Sequence, residues 1–396
     1  MSRTRDVPPE PAERFYLPEL DVLRFFAFFG VFVWHVAPGG PVFYKQYGTL
    51  GSLGLSGPFG VDLFFTLSGY LITSLLLRER EETGDINLRA FYARRTLRIW
   101  PLYYFFLVLA FLLTRLPVSI TSAPLLGNVF PPMNPSSYFV LAIFLFNFNF
   151  ANALLANALG FVGPLWSISV EEQFYLFWPW FARYIPRRRI VAIPIAMLAV
   201  AFIARAISIP LKLGVPVWNN TFTRLDPIAV GILIALMPRF NPRPALRLVL
   251  VLVGFAAWQF AASYCGLPGQ LSTLKISMGY PAIALGSGAF LLATLGAKSF
   301  RSGSALARCL IYLGKISYGL YVYDSIAICI VWLFLFRGLL TRMVVAAGLP
   351  AWMVSPVYVI LAFSLNVALA AASYRWLEAP FLRLKKRFTR VPSRAV

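Results

Sequence analysis

The residues able to do chemistry in this chain are the few ionisable side chains set inside otherwise apolar stretches. Burying such groups in a membrane-like environment costs kilocalories, so each one is a default candidate for function. His35 is the only histidine. A neutral imidazole held by a carboxylate is a general base near physiological pH, able to take the proton of a hydroxyl group. Carboxylates at matching depth lie in FGVDLFF, which holds Asp62, and in WSISVEEQFY at 166–175, which holds Glu171 and Glu172 beside Ser167 and Ser169. Together with Arg224 and Asp226 they predict one polar layer on the outer side. His35 is expected to be oriented there by Asp62 or by one of the two glutamates. Glu171 and Glu172 are adjacent, so they face different sides of a helix, and one is expected to be functional and the other structural. Asp226 is expected to pair with Arg224. Asp324, within SYGLYVYDS, is too costly to be accidental, but the sequence assigns it no role.

A second tier lies deeper. Arg24 precedes His35 by roughly 16 Å along the same helix at 1.5 Å per residue. Arg94, Arg95 and Arg98 stand at the inner mouth of a later apolar run. Guanidinium forks suit phosphate oxygens, so these arginines form a candidate phosphate clamp. No metal site is expected, because one histidine and three scattered cysteines, Cys265, Cys309 and Cys329, cannot make the usual zinc set.

The elements that must position these groups are membrane helices. The 396 residues are 59% hydrophobic, 16% aromatic and 13% charged, with a mean hydropathy of +0.72, a composition that excludes an ordinary water-soluble globule. Runs long enough to cross a hydrocarbon core of about 30 Å occur at 18–38, 59–77, 96–115, 166–184, 190–210, 224–238, 245–264, 276–297, 312–336 and 352–376. The first reads as a retained span and not as a cleaved signal peptide. With about ten spans and both termini inside, 26 Lys and Arg residues fall in inner segments. Six fall in outer loops: Lys45, Arg115, Lys212, Lys275, Arg337 and Arg342. An eleventh span at 138–156 would reverse every later loop. That segment, with Asn147, Asn149 and Asn152, therefore reads as an external re-entrant or interfacial piece. The fold class expected is an all-α integral membrane protein of about ten transmembrane helices plus that segment. Its divisions are a disordered cytoplasmic tail (1–17), one membrane domain (18–381) and a basic cytoplasmic tail (382–396) suited to an anionic inner leaflet. The formal charge of +21 does not point to nucleic acid, because the basic residues sit in short loops between apolar runs and not on one face interleaved with aromatics.

The segments in their order resemble the acyltransferase 3 family of multi-spanning membrane acyltransferases. The resemblance rests on Arg24 and His35 in the first span, FFTLSGY at 64–70, RRTLRIWPLYY at 94–104, WSISVEEQFY at 166–175 and RLDPIAVGILIA at 224–235. KISYGLYVYDS at 315–325 and YRWLEAPF at 374–381 complete it, so that it covers about 18 to 381. It implies transfer of an acyl group, commonly acetyl from cytoplasmic acetyl-CoA, to a hydroxyl of a carbohydrate or glycolipid at the outer side of the cell membrane. Acyl-CoA would be a co-substrate, with no permanently bound cofactor, and the lipid bilayer a partner. The resemblance makes Arg24 and His35 the family's Arg and His pair and gives Arg95 and Arg98 to the acyl donor. Ser68 with Gly69, and Glu171 with Glu172, fall in two further family motifs. One departure stands out: where family members often show Tyr-Leu-x-His, this chain has Asp324 at the histidine position.

The mechanism expected from these parts binds CoA phosphates at Arg95 and Arg98, with the extended arm running past Arg24. His35 then deprotonates the acceptor hydroxyl, with Ser68 or Ser169 as substrate or oxyanion contacts. The rival from another class is a proton-coupled secondary transporter, since intramembrane Arg, His and Asp also serve proton relays. An acyl-CoA-dependent assembly factor without turnover is a third reading.

Overall fold

The computed structural model describes residues 16–36, 54–113, 135–145, 162–208, 210–211, 217–238, 240–267, 272–297, 303–336, 346–347 and 354–389. About 85% of them are helical and none is in a strand. Helices α1 (Pro18–Val36), α2 (Gly60–Thr83), α3 (Leu88–Leu113) and α4 (Pro135–Ala142) are followed by α5 (Leu165–Tyr184), α6 (Ala192–Ser208) and α7 (Leu225–Leu236). Next come α8 (Pro244–Gln259), α9 (Thr273–Thr294), α10 (Ala305–Lys315), α11 (Ser317–Phe336), α12 (Val354–Ser373) and α13 (Ala379–Lys385). Local chemistry sets several ends. Gly84, at φ +78°, closes α2 by returning its N–H to the Arg80 carbonyl, a left-handed cap that glycine adopts without strain. Ser304 caps α10 by accepting from the Ala307 N–H. Pro101, Pro179 and Pro281 sit inside helices, as membrane helices tolerate.

Without a hydrophobic force between helices in lipid, close packing decides the assembly, and small residues permit it. Helices α2 and α7 cross where Gly69 faces the Ile228 backbone and Gly231 faces that of Thr66, so a Cβ at either glycine would collide with a carbonyl oxygen. Gly60 meets the Ala27 carbonyl of α1 in the same way, and Gly314 of α10 meets that of Asp21. Large apolar side chains point outward from α1 (Phe26, Phe29), α3 (Phe105, Val108, Leu112) and α8 (Leu248, Val249, Leu252, Val253). On α8 only Gly254 and Trp258 are buried, the pattern of a helix with one side against protein and the rest against lipid.

Each of the ten apolar runs holds a helix. Among the described residues, six helices are long and apolar enough to cross a membrane: Gly57–Thr83, Leu88–Leu113, Arg187–Ser208, Pro244–Tyr264, Thr273–Thr294 and Pro356–Phe388. Helix α7 has 12 residues, a rise of about 18 Å, short of the hydrocarbon thickness by itself. The segment 138–156 begins within α4 and turns at Phe144, while residues from 146 onward, including Asn147, Asn149 and Asn152, lie outside the described residues. The expected N-terminal tail lies outside them up to residue 15. Of the expected C-terminal tail, 382–396, residues up to 389 are described. Helix continues through a π turn at Tyr374–Glu378, α13 and a short 3-10 turn to Phe388, and α13 packs on α3.

Candidate functional site

The last turn of α1 carries His35, and α11 brings Asp324 to it across the bundle. The His35 Nδ1 lies 2.5 Å from the Asp324 Oδ2. The His35 side chain is 34% exposed and that of Asp324 only 1%, so a buried carboxylate grips one ring nitrogen and leaves Nε2 available. This is the arrangement that fixes a tautomer and orients a base. The Asp324 Oδ1 is buried without a hydrogen-bond partner among the described residues, so the carboxylate's one hydrogen bond there is to the imidazole.

One helical turn back along α11, Tyr321 marks one end of a cavity of about 170 Å³. Ser167 of α5 hydrogen-bonds Tyr321 there, hydroxyl to hydroxyl at 2.9 Å. Ser68, Glu171 and Tyr175 line the middle, and Arg24, Arg95, Arg98 and Lys385 line the other end. The Ser68 hydroxyl donates to Glu171 Oε1 at 2.6 Å, and the Tyr175 hydroxyl lies 3.1 Å from Ser68 Oγ and 3.2 Å from Glu171 Oε2. Arg24 donates to Asp21 at 2.8 Å.

Arg95 and Arg98 are different. Among the described residues neither forms an ion pair or a hydrogen bond. Arg95 lies over the rings of Phe91 (5.9 Å) and Tyr175 (5.8 Å), and its Nε is buried without a partner. Arg98 stands within electrostatic reach of Arg24, Asp21 and Glu378. Two guanidinium groups facing one cavity with their donors unspent make a site for a polyanion.

Several expectations are corrected by this geometry. Asp62 does not orient His35; it takes the Arg224 guanidinium at 2.8 Å, both side chains being buried. Arg224 also lies 4.1 Å over the Trp218 ring, and Asp226 pairs not with it but with Arg205. Glu171 belongs with the arginine-lined cavity and not with His35, because its place along α5 sets it beside Ser68, in the middle of α2. Glu172 turns to the opposite face, where it accepts from Trp100 Nε1 at 3.1 Å. The expected split between the two glutamates therefore holds in orientation. Ser68 has its proton committed to Glu171 and is not a free oxyanion donor. Ser169 is fully buried and returns its hydroxyl to the Leu165 carbonyl one turn back, away from the cavity. Arg94 leaves the clamp: it pairs with Glu79 at 2.9 Å and donates to the Phe388 carbonyl. Sequence reasoning missed Tyr175, Tyr321 and Lys385, and it flagged Asp324 without finding its partner.

Comparison with known proteins adds a second line. A family model described as "Acyltransferase domain", of the acyltransferase 3 type, matches residues 17–375. The O-acetyltransferase OatA of Staphylococcus aureus strain NCTC 8325 / PS 47 is 28% identical over 384 residues, covering 92% of this chain and 57% of its own length. OatA of strain COL matches with the same figures. A provisionally named O-acetyltransferase of strain COL is 26% identical over 390 residues, with the same coverage. The chain thus spans 57% of the length of these curated relatives. No solved structure matches the model significantly.

Proposed function

The chain belongs to the acyltransferase 3 family of acyltransferase domains, and we propose that it is a multi-pass membrane O-acyltransferase that moves an acyl group, acetyl first among them, from cytoplasmic acyl-CoA to a hydroxyl of a carbohydrate or glycolipid on the far side of the cell membrane. The observation that carries this reading is the pairing of His35 with buried Asp324 one helical turn beyond a cavity whose opposite end holds Arg95 and Arg98, neither of them in an ion pair or hydrogen bond among the described residues. A thioester donor with a phosphate-rich end and an extended arm matches such a cavity in charge and in shape. The phosphates lie against the two arginines, and the arm runs past Ser68, Glu171 and Tyr175 toward Tyr321.

In the reaction, the acceptor's O–H proton passes to His35 Nε2 while its oxygen attacks the thioester carbonyl. The tetrahedral intermediate then collapses, the C–S bond breaks, and the CoA thiolate leaves and takes the proton back from His35. Asp324 holds the ring and stabilises the imidazolium that forms between the two steps. Glu171 with Ser68 and Tyr175 forms a hydrogen-bonded wall that shapes the middle of the cavity; Asp62 with Arg224 and Asp226 with Arg205 brace the bundle. The ten-span arrangement with both termini on the cytoplasmic side belongs to the same proposal, supported by the 26-to-6 distribution of basic residues.

The test is protein in nanodiscs with labelled acetyl-CoA and a glycan extract as acceptor. Free CoA is expected from the wild type only when the extract is present, and not from His35→Ala. Release by a folded His35→Ala variant at the wild-type rate would remove the base assignment; no release by the wild type would remove the activity.

A further inference from the structure

The motif YRWLEAPF at 374–381 has no part in the chemistry above, and the structure gives it a shape worth following. Residues Tyr374–Glu378 form a π turn, a wider coil that recurs at functional sites in otherwise regular helices. It carries the chain from α12 into α13, which packs on α3. The far end of this segment is fixed by Arg94, which donates to the Phe388 carbonyl at 2.6 Å while pairing with Glu79 of α2 at 2.9 Å. Glu79 is itself held, because its other oxygen accepts the Asn87 N–H at 3.0 Å. A short basic helix is thereby pinned to the mouth of the cavity by an arginine that a part-buried ion pair holds in place.

Pinning gives its basic residues different fates. Arg383, Lys386 and Arg387 are exposed, whereas Lys385 is partly buried. Lys385 lines the large cavity together with Arg95 and Arg98, and it also lines a smaller adjoining one beside Arg94 and Arg95. Glu378 at the end of the π turn is buried and within electrostatic reach of Arg98. The two carboxylates that line the large cavity accept hydrogen bonds, Asp21 from Arg24 and Tyr16 and Glu171 from Ser68 and Tyr175.

We infer that Lys385 is a third contact for the phosphates of the acyl donor, so that α13 closes the mouth of the donor site and is not a tail. The inference rests on the donor reading of the cavity given above. An ammonium group on a flexible stem serves phosphate as a point charge, complementing the directional forks of Arg95 and Arg98.

The experiment is a titration of the full chain with CoA, in nanodiscs of zwitterionic lipid so that anionic headgroups are absent as a competing phosphate source. Lys385→Gln, Lys385→Arg and Lys386→Gln are compared, with Arg98→Ala beside them and the melting temperature of each recorded. Losing one charge-assisted contact is expected to weaken CoA binding about tenfold or more in Lys385→Gln. Lys385→Arg is expected to stay within about threefold of the wild type, because it keeps the charge, and Lys386→Gln to match it. In turnover, Lys385→Gln should raise KM for acetyl-CoA and leave kcat unchanged. Wild-type affinity in folded Lys385→Gln while Arg98→Ala binds poorly would overturn the inference and spare the donor reading. Equal weakening by Lys386→Gln would also overturn it, reducing the effect to general surface charge. Absence of CoA binding by the wild type would overturn the donor reading itself and the inference with it.

Discussion

Replacing Asp324 with asparagine isolates the contribution of the carboxylate to the His35 base. The substitution keeps side-chain size and one acceptor oxygen but removes the negative charge that lies 2.5 Å from His35 Nδ1 in a 1%-exposed position. A hydrogen bond between charged partners is worth about 1.5–3 kcal/mol, and that stabilisation is needed when the imidazole becomes an imidazolium. At about 1.4 kcal/mol per factor of ten, kcat should fall roughly 10- to 150-fold. KM for acetyl-CoA should not move, because Asp324 does not line the donor cavity. Stability should be kept or slightly raised, since the variant no longer buries a charge whose second oxygen has no hydrogen-bond partner among the described residues. The assay is steady-state CoA release across a range of acetyl-CoA concentrations, with a melting curve of each variant. A folded Asp324→Asn variant with wild-type kcat, or one whose whole defect lies in KM, would refute the assignment of Asp324 to the base.

Arg95→Ala and Arg98→Ala should each raise KM for acetyl-CoA by about tenfold or more, with kcat little changed at saturation, read from the same kinetics. Arg224→Leu leaves Asp62 as an uncompensated buried charge and should cost about 3–5 kcal/mol of stability, seen as a drop in melting temperature in nanodiscs. Gly231→Val drives a side chain into the Thr66 carbonyl where α2 and α7 cross, and should destabilise by about 1–3 kcal/mol or more without a specific change in KM. Glu172→Gln, lying off the cavity against Trp100, should keep both kinetic parameters within about threefold, because a neutral amide still accepts that hydrogen bond.

What could be read from the sequence was position along helices, and what could not was rotation about them. The apolar runs and the basic loops announce membrane helices and their order, since hydrophobic length and charge asymmetry are local properties. Depth is read from the same source, and it set His35 apart from the arginines on α3; Arg95 and Arg98 line the cavity and His35 does not. It failed for Glu171, whose place near the start of an outside-to-inside helix suggested the layer of His35, whereas its neighbour in space is Ser68. Asp62 and Asp226 were assigned by proximity in depth and in sequence, but both found partners on other helices: Asp62 takes Arg224 at the head of α7, and Asp226, left without that arginine, takes Arg205 of α6. Asp324 was flagged by cost alone. Its partner lies 289 residues away, and no periodicity in one chain reveals a contact of that span. Lys385 was hidden for the opposite reason, since a run of basic residues near a chain end reads as solvated until α13 is seen packed on α3.

The most direct measurement uses sealed proteoliposomes in which every molecule exposes the same end, with labelled acetyl-CoA supplied only on the side of Arg95, Arg98 and Lys385 and an impermeant glycan extract enclosed on the side of His35. Label on the enclosed glycan, dependent on His35 and absent from vesicles without protein, is the result expected if the donor enters one end of the cavity and the acceptor waits at the other. Label confined to acceptors on the donor's own side would contradict it.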